Sequence, residues 1–224
     1  MKIVGLGRAG RVTAAVGLVV VLGAGAGACG SDGDAGDSYM SADKVCDGLF
    51  EGPLAKKVER ITATTEFSDN GDEGLEKVAK ALKAGYGSGH SWGKSATLCE
   101  LSPKEREKVT ETAELSFFMY APQDIEDLRT APGTVTYTMG KRSEARGAGA
   151  SIYLECVSSQ LKGSSTNPLR IYGGFSNKTG AAKGTGDDQE INMEILHAGA
   201  LSVVKKLDCE NNAGLPETPV LTTK

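Results

Sequence analysis

Thr110-Glu111-Thr112-Ala113-Glu114-Leu115-Ser116-Phe117-Phe118-Met119-Tyr120 is the stretch that decides the fold. Ala113, Leu115, Phe117 and Met119 fall at every second position. Glu114, Ser116, Phe118 and Tyr120 occupy the positions between. A period of two predicts a strand with one buried face. The same period recurs downstream three times. Val135, Tyr137 and Met139 alternate with Thr134, Thr136 and Thr138. Ile152, Leu154 and Cys156 alternate with Ser151, Tyr153 and Glu155. Leu169, Ile171, Gly173 and Phe175 alternate with Arg170, Tyr172 and Gly174. Upstream, Ala96, Leu98 and Glu100 alternate with Thr97, Cys99 and Leu101. Ser102-Pro103-Lys104-Glu105 resembles a capping box and predicts a helical turn between the first two strands. Five strands with no long helix between them predict an antiparallel sheet.

Helical spacing flanks this block. Leu54, Val58 and Ile61 predict a helix over 53–63, with Pro53 suited to its first turn. Leu75, Val78, Ala79 and Leu82 predict a second over 73–84. Met193, Leu196, Ala200, Val203 and Leu207 predict the longest, over 188–207, with Lys205 and Lys206 suited to its C-terminal dipole. The expectation is one α+β domain over residues 43–212. An antiparallel sheet of about five strands carries three amphipathic helices packed on one face. Residues 213–224, with Pro216 and Pro219, read as an extended tail.

The composition fits one globular domain: 224 residues, 39% apolar and 24% charged, with 30 glycines. It excludes a polytopic membrane protein, a collagen, a coiled coil and a basic nucleic-acid binder. Lys2, Arg8 and Arg11 precede an uncharged run from Val12 to Ala28, which is the anatomy of a secretory signal peptide over 1–28. The run is too short and too rich in Gly and Ala for a membrane span. It ends Ala26-Gly27-Ala28-Cys29, which resembles a bacterial lipobox, with Ala26 where Leu is usual. The resemblance implies that Cys29 becomes the first mature residue and carries a lipid on its sulfur. Three of the 25 basic residues lie before Cys29, so the mature chain would carry 22 against 29 acidic residues, a net −7. Anionic headgroups repel such a domain, so the lipid itself would be the anchor.

Residues 29–42 read as a lipidated Cys and a flexible tether, rich in Gly, Asp and Ser. Asp32, Asp34 and Asp37 do not match the spacing of a calcium loop. After Cys29, four cysteines remain: Cys46, Cys99, Cys156 and Cys209. An even number in an exported chain reads as two disulfides, and no CxxC spacing points to zinc. Three pairings are open. Cys46–Cys99 and Cys156–Cys209 are preferred because each joins a helix end to a strand. No metal and no cofactor is assigned.

Three motifs come close without matching. Ser88 to Ser95 looks like a phosphate loop but has Ser88 where Gly is required, and it leads from a helix into a strand. Leu215-Pro216-Glu217-Thr218-Pro219 looks like a sorting signal but has Pro219 where Gly is required. His90 beside Ser91 is adjacency and not a triad, and His197 borders the apolar stripe of the last helix. No catalytic residue follows. Glu114 and Glu155 are a conceivable pair of carboxylates on one sheet face.

The strand phase sends Phe118, Tyr120, Tyr153, Glu155, Arg170 and Tyr172 away from the helices. Half-covered sheets usually show small polar residues to water, so this group is the candidate binding face. The expectation is that these side chains lie together and partly exposed.

Phe118-Met119-Tyr120-Ala121-Pro122, Thr136-Tyr137-Thr138-Met139-Gly140, Glu155-Cys156-Val157 and Cys209-Glu210-Asn211 through Gly214-Leu215-Pro216-Glu217 form a set. With this set the chain resembles small exported lipoproteins of actinobacteria. The resemblance implies location and architecture, and carries over no catalytic residue. The functional expectation is a lipid-anchored binding or accessory lipoprotein on the outer side of the membrane. Its partner would be an envelope protein or a small ligand, not nucleic acid. The alternatives are an envelope hydrolase using carboxylates and a purely structural envelope lipoprotein.

Overall fold

The structure, a computed structural model, describes residues 39–68, 74–104, 111–181 and 183–223. The signal peptide, Cys29 and most of the proposed tether lie outside the described residues, as does Glu105 of the proposed capping box. The main sheet has six strands: β3 Ala96–Leu101, β4 Ala113–Met119, β5 Val135–Tyr137, β6 Arg142–Arg146, β7 Gly149–Cys156 and β8 Leu169–Asn177. Their order is β3-β4-β8-β7-β6-β5, and every pairing is antiparallel. A small second sheet pairs β1 Tyr39–Met40 with β2 Phe67–Ser68. It leans on the end of β3, where the Ser68 amide donates to the Ser102 carbonyl and the Lys104 amide to the Glu66 carbonyl. Ser102 to Lys104 therefore continue sheet-like pairing, and the turn expected to follow lies outside the described residues.

Ala113, Leu115, Phe117 and Met119 of β4 are all buried, and Glu114, Ser116 and Phe118 are half-exposed. Two helices cover that buried face. α3 Gly74–Gly87 packs on β3 and β4, and α5 Gly186–Lys206 packs on β6, β7 and β8. α2 Pro53–Thr62 stacks on α5, burying Ala55, Val58 and Ile61. α5 is thus enclosed on two sides. It buries Ile191, Met193, Ile195, Leu196, Ala200, Val203 and Val204, and even Asn192 and His197. A helix apolar over most of its circumference is the pattern of such a central element. A one-turn segment with left-handed angles, α1 Val45–Gly48, a short helix, α4 Gln123–Glu126, and a 3-10 segment over Glu210–Gly214 complete the described set.

The α+β class and the antiparallel sheet agree with the expectation, but the counts do not: among the described residues the main sheet has six strands, a second sheet has two, and there are five α-helical segments instead of three, with α2 packed on α5. β6 carries no hydrophobic alternation, because its core-facing residues are Ser143 and Ala145, too small to mark a strand. The Ser143 hydroxyl is satisfied by donating to the Met139 carbonyl at 2.6 Å. The phase of β3 also differs. A register shift between Thr97 and Cys99 buries Leu98 and Cys99 together, with Leu101 on the same inner side. That shift is a β-bulge.

Two disulfides tie the layers. Cys46–Cys99 joins α1 to β3, with Cα atoms 5.4 Å apart. Cys156–Cys209 joins the end of β7 to the segment after α5, with Cα atoms 5.1 Å apart. The C-terminal segment folds back onto the domain. Leu215 is buried, His197 Nε2–H donates to the Pro216 carbonyl at 2.9 Å, and Thr223 bridges to Tyr137 of β5. Among the described residues no helix is long and apolar enough to cross a membrane.

Candidate functional site

Three strands place the candidate face. Phe118 of β4 lies directly opposite Tyr172 of β8, which lies opposite Tyr153 of β7. Their rings form a chain across the sheet. Phe118 and Tyr172 are 4.4 Å apart, Tyr172 meets Tyr153 edge-on at 5.1 Å, and Tyr153 meets Tyr120 edge-on at 5.1 Å. Edge-on contacts put the positive ring rim against a negative face, which favours pairing beyond simple burial. Room for this comes from Gly174. A Cβ there would stand 3.0 Å from the Tyr172 ring, so the ring lies over a bare backbone.

The six residues are gathered on one face, but their exposure is not as expected. Tyr120 is only 2% exposed and Tyr153 only 7%, while Phe118, Tyr172, Glu155 and Arg170 are half-buried. The cover is the connection from β4 to β5. Arg142, opposite Tyr153, donates from Nη1 to the Leu128 carbonyl at 3.0 Å and from Nη2 to Thr130 Oγ1 at 3.1 Å. The start of the connection is set by the Asp124 carboxylate, which accepts the Ala121 amide at 2.8 Å. A polar connection has no hydrophobic period, so its docking across the sheet left no trace in the sequence. The helix and solvent faces were not exchanged: Leu154, Ile152 and Ile171 are fully buried on the helix side.

Burial keeps these phenols neutral. It raises Tyr153 to about 12, helped by Tyr172 and Glu144, and it raises Tyr172 as well. Tyr120 is raised further, by burial first and by the nearby Glu155 carboxylate second. Glu155 and Arg170 face each other across β7 and β8, with Arg170 Nε 3.8 Å from the carboxylate. Lys141 approaches the same carboxylate at 2.9 Å.

Beyond Tyr120 the row ends in a cleft of about 500 Å³. Its walls are the turn after α3 (Gly89, His90, Ser91), the end of β4 (Met119, Tyr120, Pro122) and the approach to β8 (Lys162, Asn167, Pro168, Arg170). Tyr86 of α3 spans it, donating to the Asn167 carbonyl at 2.9 Å. Trp92, outside this lining, is 66% exposed, and its ring lies 5.9 Å from that of the lining residue His90. The Tyr120 hydroxyl is buried and has no hydrogen-bond partner among the described residues. Leaving a buried hydroxyl unpaired costs about 1–3 kcal/mol. Residues 88–95, which look like a phosphate loop in sequence, contribute His90 and Ser91 to this cleft instead. Their nearness to Arg170 depends on the sheet register, which one sequence does not display.

The proposed carboxylate pair does not form. Glu114 lies opposite Ser176 and accepts a hydrogen bond from Thr97 Oγ1 at 2.7 Å. Glu155 lies opposite Arg170, six residues along β8, so the two are about 20 Å apart along the strand. Glycosidase carboxylates stand about 5–10 Å apart. Among the described residues no three His, Cys, Asp or Glu side chains gather as metal ligands.

A second groove, of about 480 Å³, runs between α2, α5 and the C-terminal segment. Leu54, Leu201 and Pro219 line it, with His197 below and the Lys57–Glu194 and Lys205–Glu217 pairs at its rim. Burial holds His197 below its usual titration range, against the opposing pull of the Pro216 carbonyl, Glu217 and Glu194. No family model matches the chain, and neither a curated protein nor a solved structure matches it.

Proposed function

We propose that the protein is a binding or accessory lipoprotein, held on the outer side of the membrane by a lipid on Cys29. The cleft at the end of β4 would be its binding site. The observation that carries the binding reading is a cleft lined by two cationic side chains and by Tyr120, whose hydroxyl is buried without a partner among the described residues. Two disulfides support an oxidising compartment. The uncharged run ending at Cys29, and the resemblance to exported actinobacterial lipoproteins, support the anchor.

Detergent partition tests the anchor. The wild type enters the detergent phase and Cys29→Ser stays in the aqueous phase; equal partition removes the lipid from the proposal. A thermal-shift screen tests binding. Some fraction of a cell-envelope small-molecule extract raises the melting temperature of the wild type and leaves Arg170→Gln unchanged. If every fraction shifts both proteins alike, the cleft is not a binding site and the structural reading takes its place.

A further inference from the structure

We propose that the cleft at the end of β4 takes an acidic sugar, its carboxylate held by Arg170 and Lys162 and its ring lying against the aromatic lip formed by His90 and Trp92. This deepens the binding reading above and rests on it. Three features carry the ligand class. The first is charge. Arg170 and Lys162 both line the cleft, and among the described residues Lys162 has no carboxylate within ion-pair distance. Glu155, the acid beside Arg170, is also held by Lys141. The two cationic side chains are therefore only partly neutralised, on a domain whose overall charge is negative, and an anion fits there. Arg170 is pre-oriented, since its Nη1 donates to Asn167 Oδ1 at 3.1 Å.

The second feature is hydroxyl chemistry. Tyr86, Ser91 and Asn167 offer donors and acceptors around the same space. A bare anion such as phosphate can accept from these groups but brings no C–H face to an aromatic side chain. The third is the lip. Trp92 is the most exposed large apolar side chain among the described residues, and its indole pairs with the His90 ring. A flat apolar ring beside polar groups suits the C–H face of a sugar.

Trp92 is the single tryptophan in the chain, so its emission reports on the lip alone. Sodium D-glucuronate changes that emission saturably. D-glucose and inorganic phosphate require at least about tenfold higher concentration for the same change. Ser91→Ala, which removes one exposed hydroxyl from the cleft wall, weakens glucuronate roughly 3- to 10-fold. Exposed Lys162→Gln, which leaves the core untouched, weakens it as well. Circular dichroism confirms that both variants fold. Equal response to glucose overturns the anionic assignment, and equal response to phosphate overturns the sugar. A response to phosphatidylglycerol vesicles without one to glucuronate assigns the cleft to lipid. Silence toward all four overturns the acidic-sugar proposal, and the extract screen then decides the broader binding reading separately.

Discussion

A methyl group on Gly173 would stand 2.6 Å from Phe117 Cε1 and 3.0 Å from Ile152 Cγ2. Gly173 and Gly174 leave two hollows in β8, one on each face. Phe117 fills the inner hollow and the Tyr172 ring lies across the outer one. Gly173→Ala is expected to cost about 1–3 kcal/mol, since Phe117 is fully enclosed and cannot withdraw. Gly174→Ala presses only on the half-buried Tyr172 ring and costs less. Urea midpoints of the two variants check the order; a larger loss for Gly174→Ala would refute the packing account. The pair of glycines is visible in the sequence, and so is the alternation that assigns them to opposite faces. Which ring fills which hollow depends on the register of β4 against β8, and no local pattern encodes that. The burial of Tyr120 and Tyr153 has no local signature for the same reason: it depends on how the polar β4–β5 connection docks across the sheet.

Among the elements, strands with large inward residues were legible and strands with small ones were not. β4, β7 and β8 announce themselves through Leu, Ile and Phe at every second position, whereas β6 turns Ser143 and Ala145 inward. The β3 bulge was hidden because alternation presumes an unbroken register. Each disulfide spans 53 residues, and the chain-entropy estimate for such a loop is about 4 kcal/mol. Their surroundings differ. Cys156–Cys209 sits among hydrogen bonds that join the same two segments, from the Glu210 amide to the Val157 carbonyl at 2.8 Å and from Ser158 Oγ to the Leu207 carbonyl at 2.6 Å. Cys46 lies in a short turn where it and Asp47 hold left-handed backbone angles, φ 54° and 57°. Replacing Cys156 and Cys209 by Ala is expected to lower global stability by about 2–4 kcal/mol in urea unfolding. Replacing Cys46 and Cys99 instead loosens residues 39–52 first, seen as faster amide exchange there than in β7. Uniform exchange across both regions would refute that division.

At the scale of the whole molecule, four of the six tyrosines titrate above their ordinary range. Burial is the leading cause in each, and Tyr137 and Tyr153 reach about 12. In the unfolded chain these phenols ionise near pH 10. Between about pH 10 and pH 12 the unfolded state therefore holds fewer protons than the native one, and stability falls as pH rises. Below about pH 10 both states are neutral and the tyrosines add no slope. Urea midpoints at about pH 9 and about pH 11 are expected to differ, with the higher pH weaker, and Tyr153→Phe is expected to reduce the difference. Equal midpoints would show that the phenols are not shielded. Fold class was legible from the chain because it depends on periods of two and of about four, summed over many residues. The cleft was not, because it is assembled from three segments up to about 80 residues apart.

The rims of the main sheet also bear on how copies of the chain meet. One rim is β5, three residues long and bridged by Thr223. The other is β3, bent by its bulge and fastened to α1 through Cys46. Short, bulged or covered rims offer poor templates for a further strand. For a chain confined to a surface as proposed, neighbours meet at high effective concentration. Blunted rims let such molecules crowd side by side without zipping their sheets into aggregates.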